Sequence, residues 1–464
     1  LLESFKFVTA LSYTGMFVSM YIFLVALTNP LAALVGAAAY IWAPYHFDIN
    51  QHRGAVGEMT AMVFWPAIFW STLQMFKKNY GKGFFSSVIF WALLFYSHPD
   101  LFIIIFPLWI LVMGIELMLT KNMHAFGTSF RAFGMSVGIM AFYIIPSYVE
   151  HQYLGYQSHQ GIYTQNFVSW DQLLSQPKIM EFGLPWGALY KSIGWPYIAI
   201  AIITTVMVIA HIRRIRTQRI HAYQAAFLIM AGIGIYLVRP ASTYLWDHIS
   251  ALAFITYPQR FLGLVMFCLS VSAGLVAGLF TKRLSWIAIG MITVIILFEY
   301  PFVNLNYVRD SAESLSVRIL DTTDVWGEFM PKAMPPDFIP NGRLRAQQPM
   351  ITLTPPGPSP TCTQTSQSIT CPVHTSSPAT VRFRQFYFPG WTAHADTDSL
   401  PVTMHTDGTI LVFLNKPTET VSITFIKTPL RVFSNFLSVI FLGLYILLGI
   451  QTVYTRIQKK PISS

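Results

Sequence analysis

Two acids, two histidines and an arginine fall within residues 44–58 of a chain in which only 11% of residues are charged. They are Asp48, Glu58, His46, His52 and Arg53. Glu58 opens the apolar run 61–76, where an ionisable carboxylate is costly and needs a partner or a task. Arg53, five residues earlier, is the nearest candidate partner. One reading makes Glu58 or Asp48 a base or metal ligand, with Arg53 and His52 holding a phosphate. Arginine suits that work because its planar fork donates two parallel hydrogen bonds. The plainer reading pairs Arg53 with Glu58 to orient a helix and leaves Asp48 and the histidines solvated.

Two further clusters belong to the same chemistry. His98-Pro99-Asp100 makes a very short turn between apolar segments. Proline ends the first helix there, Asp100 can cap the next, and His98 can serve as ligand, base or phosphate donor. Tyr257-Pro258-Gln259-Arg260-Phe261 opens another apolar segment. Its Arg260 either meets a lipid phosphate or snorkels to the headgroups. Arg239, Asp247, His248, Glu150 and His151 are weaker candidates at segment ends. Glu299 reads as interfacial and Glu116 as snorkelling at the opposite face.

The elements that must position these residues are membrane helices. The mean hydropathy is +0.50 and 54% of residues are hydrophobic, with repeated long apolar runs. Spans are expected at about 7–27, 31–45, 56–76, 84–96, 101–119, 126–146, 195–212, 222–238, 258–280, 284–303 and 429–450, about eleven helices. The net charge of +10 is spread over short gaps: Lys77, Lys78 and Lys82, then Lys121, Arg213–Arg216 with Arg219, Lys282 and Arg283, and the tail. That is the positive-inside pattern and excludes a nucleic-acid face, which would be one contiguous soluble patch. The C-terminus is then cytoplasmic and Leu1 outside, so at least one upstream helix is expected to precede the chain. Every acid except Glu116 falls on the outer side, which makes the outer face the place for chemistry.

The expected organisation is a multi-span domain over 1–303, interrupted by an outer loop at 147–194. An extracytoplasmic domain over 304–428 and a last helix with a basic tail over 429–464 complete it. Within the outer domain, period-two alternation at 350–353, 380–388, 402–405, 409–415 and 420–426 predicts a β-sandwich-like fold. Asp407-Gly408 signals a hairpin and Pro389-Gly390 a type II turn. Cys362 and Cys371 lie here and are expected to form a disulfide, as an oxidising compartment permits. The segment 310–340 reads as helical or irregular. No CxxC, HExxH, P-loop or GxGxxG pattern occurs.

Taken together, these motifs resemble a known group. The Arg53-Gly54-Ala55-x-x-Glu58 stretch with the following Trp65-Pro66, the Ser97-His98 pair and Tyr257-Pro258-x-Arg260-Phe261 are similar to large bacterial membrane proteins called 6-pyruvoyl-tetrahydropterin synthase-related. Tyr387-Phe388-Pro389-Gly390-Trp391 with Ala393 and Asp396 resembles the ectodomain signature of YfhO-type proteins. The zinc-histidine site of the soluble pterin enzyme has no counterpart here. The resemblance implies a glycosyltransferase of the GT-C class, in the cytoplasmic (inner) membrane, moving a sugar from a polyprenyl-phosphate donor to a cell-envelope glycan or lipid acceptor on the outer face. It implies catalytic roles for Glu58, Asp48 and His98, and substrate or phosphate contacts for Arg53, His52, Asp100 and Arg260. In that class the base usually sits in a first outer loop, which the chain is expected to lack. No cofactor is assigned, and a divalent metal ion stays open. A flippase for a lipid-linked saccharide, or a non-catalytic envelope assembly protein, is the alternative.

Overall fold

The computed structural model describes residues 2–154, 162–175, 191–280, 284–300, 349–357 and 360–458. The chain divides into two compact units. The first comprises Leu1–Met140, Gly161–Val308 and Val439–Ser464, the second Ala141–Gln160 and Arg309–Ser438.

The first unit is a helical bundle. Its centre is the helix Phe261–Ala277, buried along its whole length. Such an all-round apolar helix has no polar face to show and must be enclosed by others. Helices Pro30–Ile41, Arg219–Leu237 and Trp195–Ala210 enclose it. Close approach there depends on small residues: a Cβ on Gly36 would stand 2.9 Å from the Ser270 carbonyl oxygen and 3.3 Å from Gly274 Cα. In a bilayer, where lipid is as apolar as leucine, helices associate through such close packing. Cys268 lies inside this central helix as a buried free thiol.

Among the described residues, five helices are long and apolar enough to cross a membrane: Glu3–Val25, Pro99–Thr120, Arg219–Leu237, Pro258–Ala277 and Pro429–Thr455. The bent pair Met123–Ile139 and Ala141–Tyr153 makes a sixth if it counts as one span. That is fewer than the eleven expected, and the difference has physical sources. Pro30–Ile41, Trp195–Ala210 and Ser285–Glu299 are apolar but shorter than a bilayer crossing. The expected span 56–76 is two helices, Val56–Met62 and Phe64–Phe76. The expected span 84–96 begins earlier, as Tyr80–Ser97, so that glycine and lysine dilute its hydropathy.

The second unit holds two antiparallel sheets with strands β1 (Ile351–Thr354), β2 (Thr363–Gln364), β3 (Ser368–Thr375), β4 (Ala379–Phe386), β5 (Trp391–Ala395), β6 (Asp398–Leu400), β7 (Val402–Met404), β8 (Thr409–Leu414) and β9 (Thr418–Phe425). One sheet runs β1-β4-β8-β7 and the other β2-β3-β9-β5-β6. Val381, Phe383, Ile410 and Val412 from one sheet share a core with Ile369, Ala393, Val421 and Ile423 from the other. Both turn expectations appear: Gly408 in the β7–β8 hairpin and Gly390 before β5 have positive φ, at 80° and 114°. Strands β2, β3, β5 and β6 fall outside the predicted alternation, because Pro372 interrupts β3 and the other three are too short to show the pattern. The Cys362–Cys371 disulfide is formed. Trp391 packs edge-on against Phe425 beside the core, where its ring has a structural role. The expected segment 310–340 lies outside the described residues.

The second unit also takes in more than the expected 304–428. Helix Ala141–Glu150 belongs to it, tied by Glu150, whose carboxylate accepts from Arg431 Nη2 at 2.8 Å and Nε at 3.2 Å. The Arg431 guanidinium lies between the Phe388 and Phe425 rings, 5.3 and 4.9 Å from their centroids. Glu150 is therefore a structural anchor.

Candidate functional site

Residues 44–62 fold as a chain of short pieces. Pro44–Phe47 is a helical turn, Asp48–His52 a π-helical turn, and Val56–Met62 the next helix. The π turn closes with Arg53 N donating to the Asp48 carbonyl at 3.3 Å. Gly54 at φ +57° then reverses the chain, a conformation that costs glycine little. Such irregular backbone at depth needs enclosure by protein. The result is that Tyr45, Arg53 and Glu58 point to one place.

Glu58 is fully buried and is the hub. One carboxylate oxygen accepts the Tyr45 hydroxyl. The other accepts Arg53 Nη2 at 2.9 Å and lies 3.8 Å from Arg260 Nε. Arg53 Nη1 also donates to the Tyr45 hydroxyl oxygen at 3.3 Å. Arg260, on the turn before the central helix, donates through Nη1 to Asp100 and to the Ile255 carbonyl, the latter at 2.7 Å. The Tyr257 ring faces both guanidinium groups, at 6.0 Å from Arg53 and 5.0 Å from Arg260. Two cations and two anions thus meet in balance, a buried four-charge network.

Close backbone approach brings the third cluster in. A Cβ on Gly57 would stand 2.9 Å from the Ser97 carbonyl oxygen, so the glycine lets helix Val56–Met62 touch the turn that carries His98 and Asp100. Gly263 does the same for Tyr45, whose ring would lie 3.2 Å from an added Cβ. Asp100 does not cap its helix; the cap residue is His98, without a side-chain bond. His98 Nδ1 and Arg260 Nε are buried without a hydrogen-bond partner, as are both ring nitrogens of His46. Gln259 Oε1 is a further buried polar atom without one.

Glu58, Arg53, Asp100, His98 and Arg260, expected from three separate motifs, come together. Asp48 is buried beside them. Lys191 lies just before helix Trp195–Ala210; burial lowers its ammonium from the ordinary value, Asp48 opposes this and Arg53 adds to it. His52 sits in the π turn, and its side chain lies outside the described residues. The chain matches no family model, no curated protein and no solved structure. Tyr45 and Lys191 are not among the candidate site residues of the sequence, and Tyr257 stands there only as part of the motif around Arg260. Among aromatics at 15% of the chain, only the adjacent charges could have marked the two tyrosines.

The weaker candidates have structural work. Arg239 donates to the Val168 carbonyl at 2.5 Å and stacks on Trp170 at 4.6 Å. Asp247 accepts the Tyr163 hydroxyl, and the two histidines, His151 and His248, bond to carbonyls of their own helical turns. Glu116 does not snorkel: it is fully buried, held by Arg219 Nε and Nη2 at 2.7 and 2.9 Å and by Tyr223 at 3.1 Å. Among the described residues, no group of three His, Cys, Asp or Glu stands close enough to hold a metal ion.

Proposed function

We propose that the chain is a membrane glycosyltransferase of GT-C type that takes a sugar from a polyprenyl-phosphate donor and passes it to an envelope glycan or lipid on the outer face. The observation that carries this reading is the pair of nitrogens without a hydrogen-bond partner, Arg260 Nε and His98 Nδ1, beside a neutral cluster of two arginines and two carboxylates. Buried donors without acceptors are costly, and an anionic group such as a phosphate would supply what they lack. His98 donates in the tautomer or charge state that carries its proton on Nδ1.

The roles differ from those the sequence assigned. Glu58, saturated by Tyr45 and Arg53 and fully buried, is a positioning residue: it fixes both guanidinium groups. Arg260, His98 and Arg53 are the phosphate contacts. Asp100 is the least buried of the four charged side chains, at 15% exposed. A donor phosphate that engages Arg260 would release Asp100 to take the proton from the acceptor hydroxyl. The acceptor oxygen then attacks the anomeric carbon and the polyprenyl phosphate leaves with the bonding pair, stabilised by Arg260 and His98.

The test is transfer in proteoliposomes from radiolabelled polyprenyl-phosphate sugars by the wild type, Arg260→Gln, His98→Ala and Asp100→Asn. Loss of transfer by about 10²-fold or more, the scale of one removed transition-state contact, in variants that insert and fold is the expected result. Labelled lipid that crosses the bilayer with no glycosidic bond formed would replace the transferase with a flippase.

A further inference from the structure

Glu299 ends the helix Leu284–Glu299 with its side chain fully buried and neither carboxyl oxygen hydrogen-bonded. It is pressed against Gly194, whose φ is +82°: a Cβ there would run into Glu299 Oε1 and stand 3.1 Å from Pro44 Cγ. Of the titratable groups on the surrounding elements, the tyrosines and Arg260 are engaged elsewhere, and His46 is buried with neither ring nitrogen hydrogen-bonded. Tyr197 donates to the Ala39 carbonyl, Tyr40 to the Met62 carbonyl and Tyr45 to Glu58. Cys268 is a buried thiol and Arg260 is held by Asp100. His46, on the short helix that Pro44 opens, is buried. Among the described residues no basic side chain forms an ion pair with Glu299. An ionised carboxylate in such a place would be unpaired and unsolvated, at a cost far above that of the neutral acid.

Gly194 ends a short segment, 191–194, that reaches the candidate site at its other end. Lys191 is buried, donates to the Asn166 carbonyl at 3.4 Å and senses the charges of Asp48 and Arg53. Ile193 N donates to the Leu173 carbonyl at 2.9 Å, and Gly194 N to Ser192 Oγ at 3.0 Å. One segment therefore packs against the unpaired acid and carries a lysine within electrostatic range of Asp48 and Arg53.

We propose that Glu299 is a proton-binding site that seats the segment 191–194: as the neutral acid it lies against Gly194, and the segment lifts when the proton leaves. Because Lys191 travels with that segment, the proton changes the field that Lys191 exerts on Asp48 and Arg53. The inference stands on packing and does not rest on glycosyl transfer.

The test uses the whole chain in nanodiscs. The infrared carbonyl band of a protonated carboxylic acid should be present in the wild type and lost in Glu299→Gln at neutral pH. Amide exchange at Ile193 and Gly194, corrected for its intrinsic pH dependence, should lose protection about tenfold per pH unit as the acid ionises. In Glu299→Gln, a permanent mimic of the neutral acid, protection should stay flat. Gly194→Ala, which drives a methyl into the carboxyl, should unseat the segment at every pH. An unchanged acid band in Glu299→Gln, or wild-type protection that is flat or no more pH-dependent than that of the glutamine variant, overturns the proposal.

Discussion

Replacing Glu58 with glutamine removes one negative charge from a network of two positive and two negative side chains. It abolishes the ion pair with Arg53 at 2.9 Å and the attraction to Arg260 at 3.8 Å. At an effective dielectric of about 20, those are gross attractions of roughly 6 and 4 kcal/mol. Glutamine recovers part of this by accepting hydrogen bonds and by sparing the desolvation of a carboxylate. What remains is a buried arginine that has lost its direct carboxylate partner and keeps only the attraction of Asp48 nearby, and breaking one side of a buried pair costs about 3–5 kcal/mol. Arg53→Gln in the same background removes the stranded charge. Unfolding of detergent-purified protein, followed by tryptophan fluorescence for the wild type, both singles and Arg53→Gln/Glu58→Gln, forms a double-mutant cycle. The double variant is expected to be more stable than the sum of the singles predicts, by at least ~1 kcal/mol. Additive effects, or a Glu58→Gln protein as stable as the wild type, would refute the hub role.

Three other perturbations have definite outcomes. Gly57→Ala sets a methyl against the Ser97 carbonyl and forces the helix and the His98 turn apart, at about 1–3 kcal/mol; transfer should fall with insertion unchanged, as a proteoliposome assay beside a protease-protection map will show. Glu116→Gln removes the charge that holds the partly exposed Arg219 and should destabilise by about 1.5–3 kcal/mol, the scale of hydrogen bonds to a charged group, with Glu116→Gln/Arg219→Gln milder in the same unfolding measurement. Asp407 in the β unit has its carboxyl held down to about 2, burial being outweighed by hydrogen bonds from Thr409 and His405 and by Arg382. A depressed acid stabilises the fold above its ordinary value of about 4 and loses that contribution as pH falls toward 2. Wild type should therefore exceed Asp407→Asn in stability near neutrality and converge with it in acid.

The class of the molecule and the location of its charges were legible in the sequence, because both depend on what lipid tolerates. Long apolar runs announced helices, and the scarcity of charge made each buried acid conspicuous. The 31–45 run was already short in the sequence and is Pro30–Ile41 in the fold, whereas Trp195–Ala210, as apolar as the candidate spans, gave no sign of ending short of a crossing. Period-two alternation found five of the nine strands but not β2, β3, β5 or β6, since Pro372 interrupts β3 and the other three are too short to show the pattern. Partners across the chain were hidden for a plainer reason. Arg260 and Asp100 are separated by 160 positions and Glu116 and Arg219 by 103, and no local spacing encodes such a pair.

The charge count at the site limits the order of events in any reaction there. Arg53 and Arg260 are already paired with Glu58 and Asp100, so an arriving phosphate must compete with a carboxylate for its arginine, and the displaced carboxylate carries the excess negative charge until it takes a proton. Glu58 is the poorer choice, being fully enclosed and bound by a tyrosine as well. Asp100 has the open side and a single arginine in its pair. Under the proposed transfer, donor binding and release of Asp100 are one step, and an acceptor hydroxyl meets a free base only after the donor is seated. Donor binding should then precede acceptor binding, and Asp100→Asn should bind polyprenyl phosphate more tightly than the wild type while transferring nothing. A wild type that binds acceptor equally well with and without donor, or an Asp100→Asn protein with weakened donor affinity, would break that sequence.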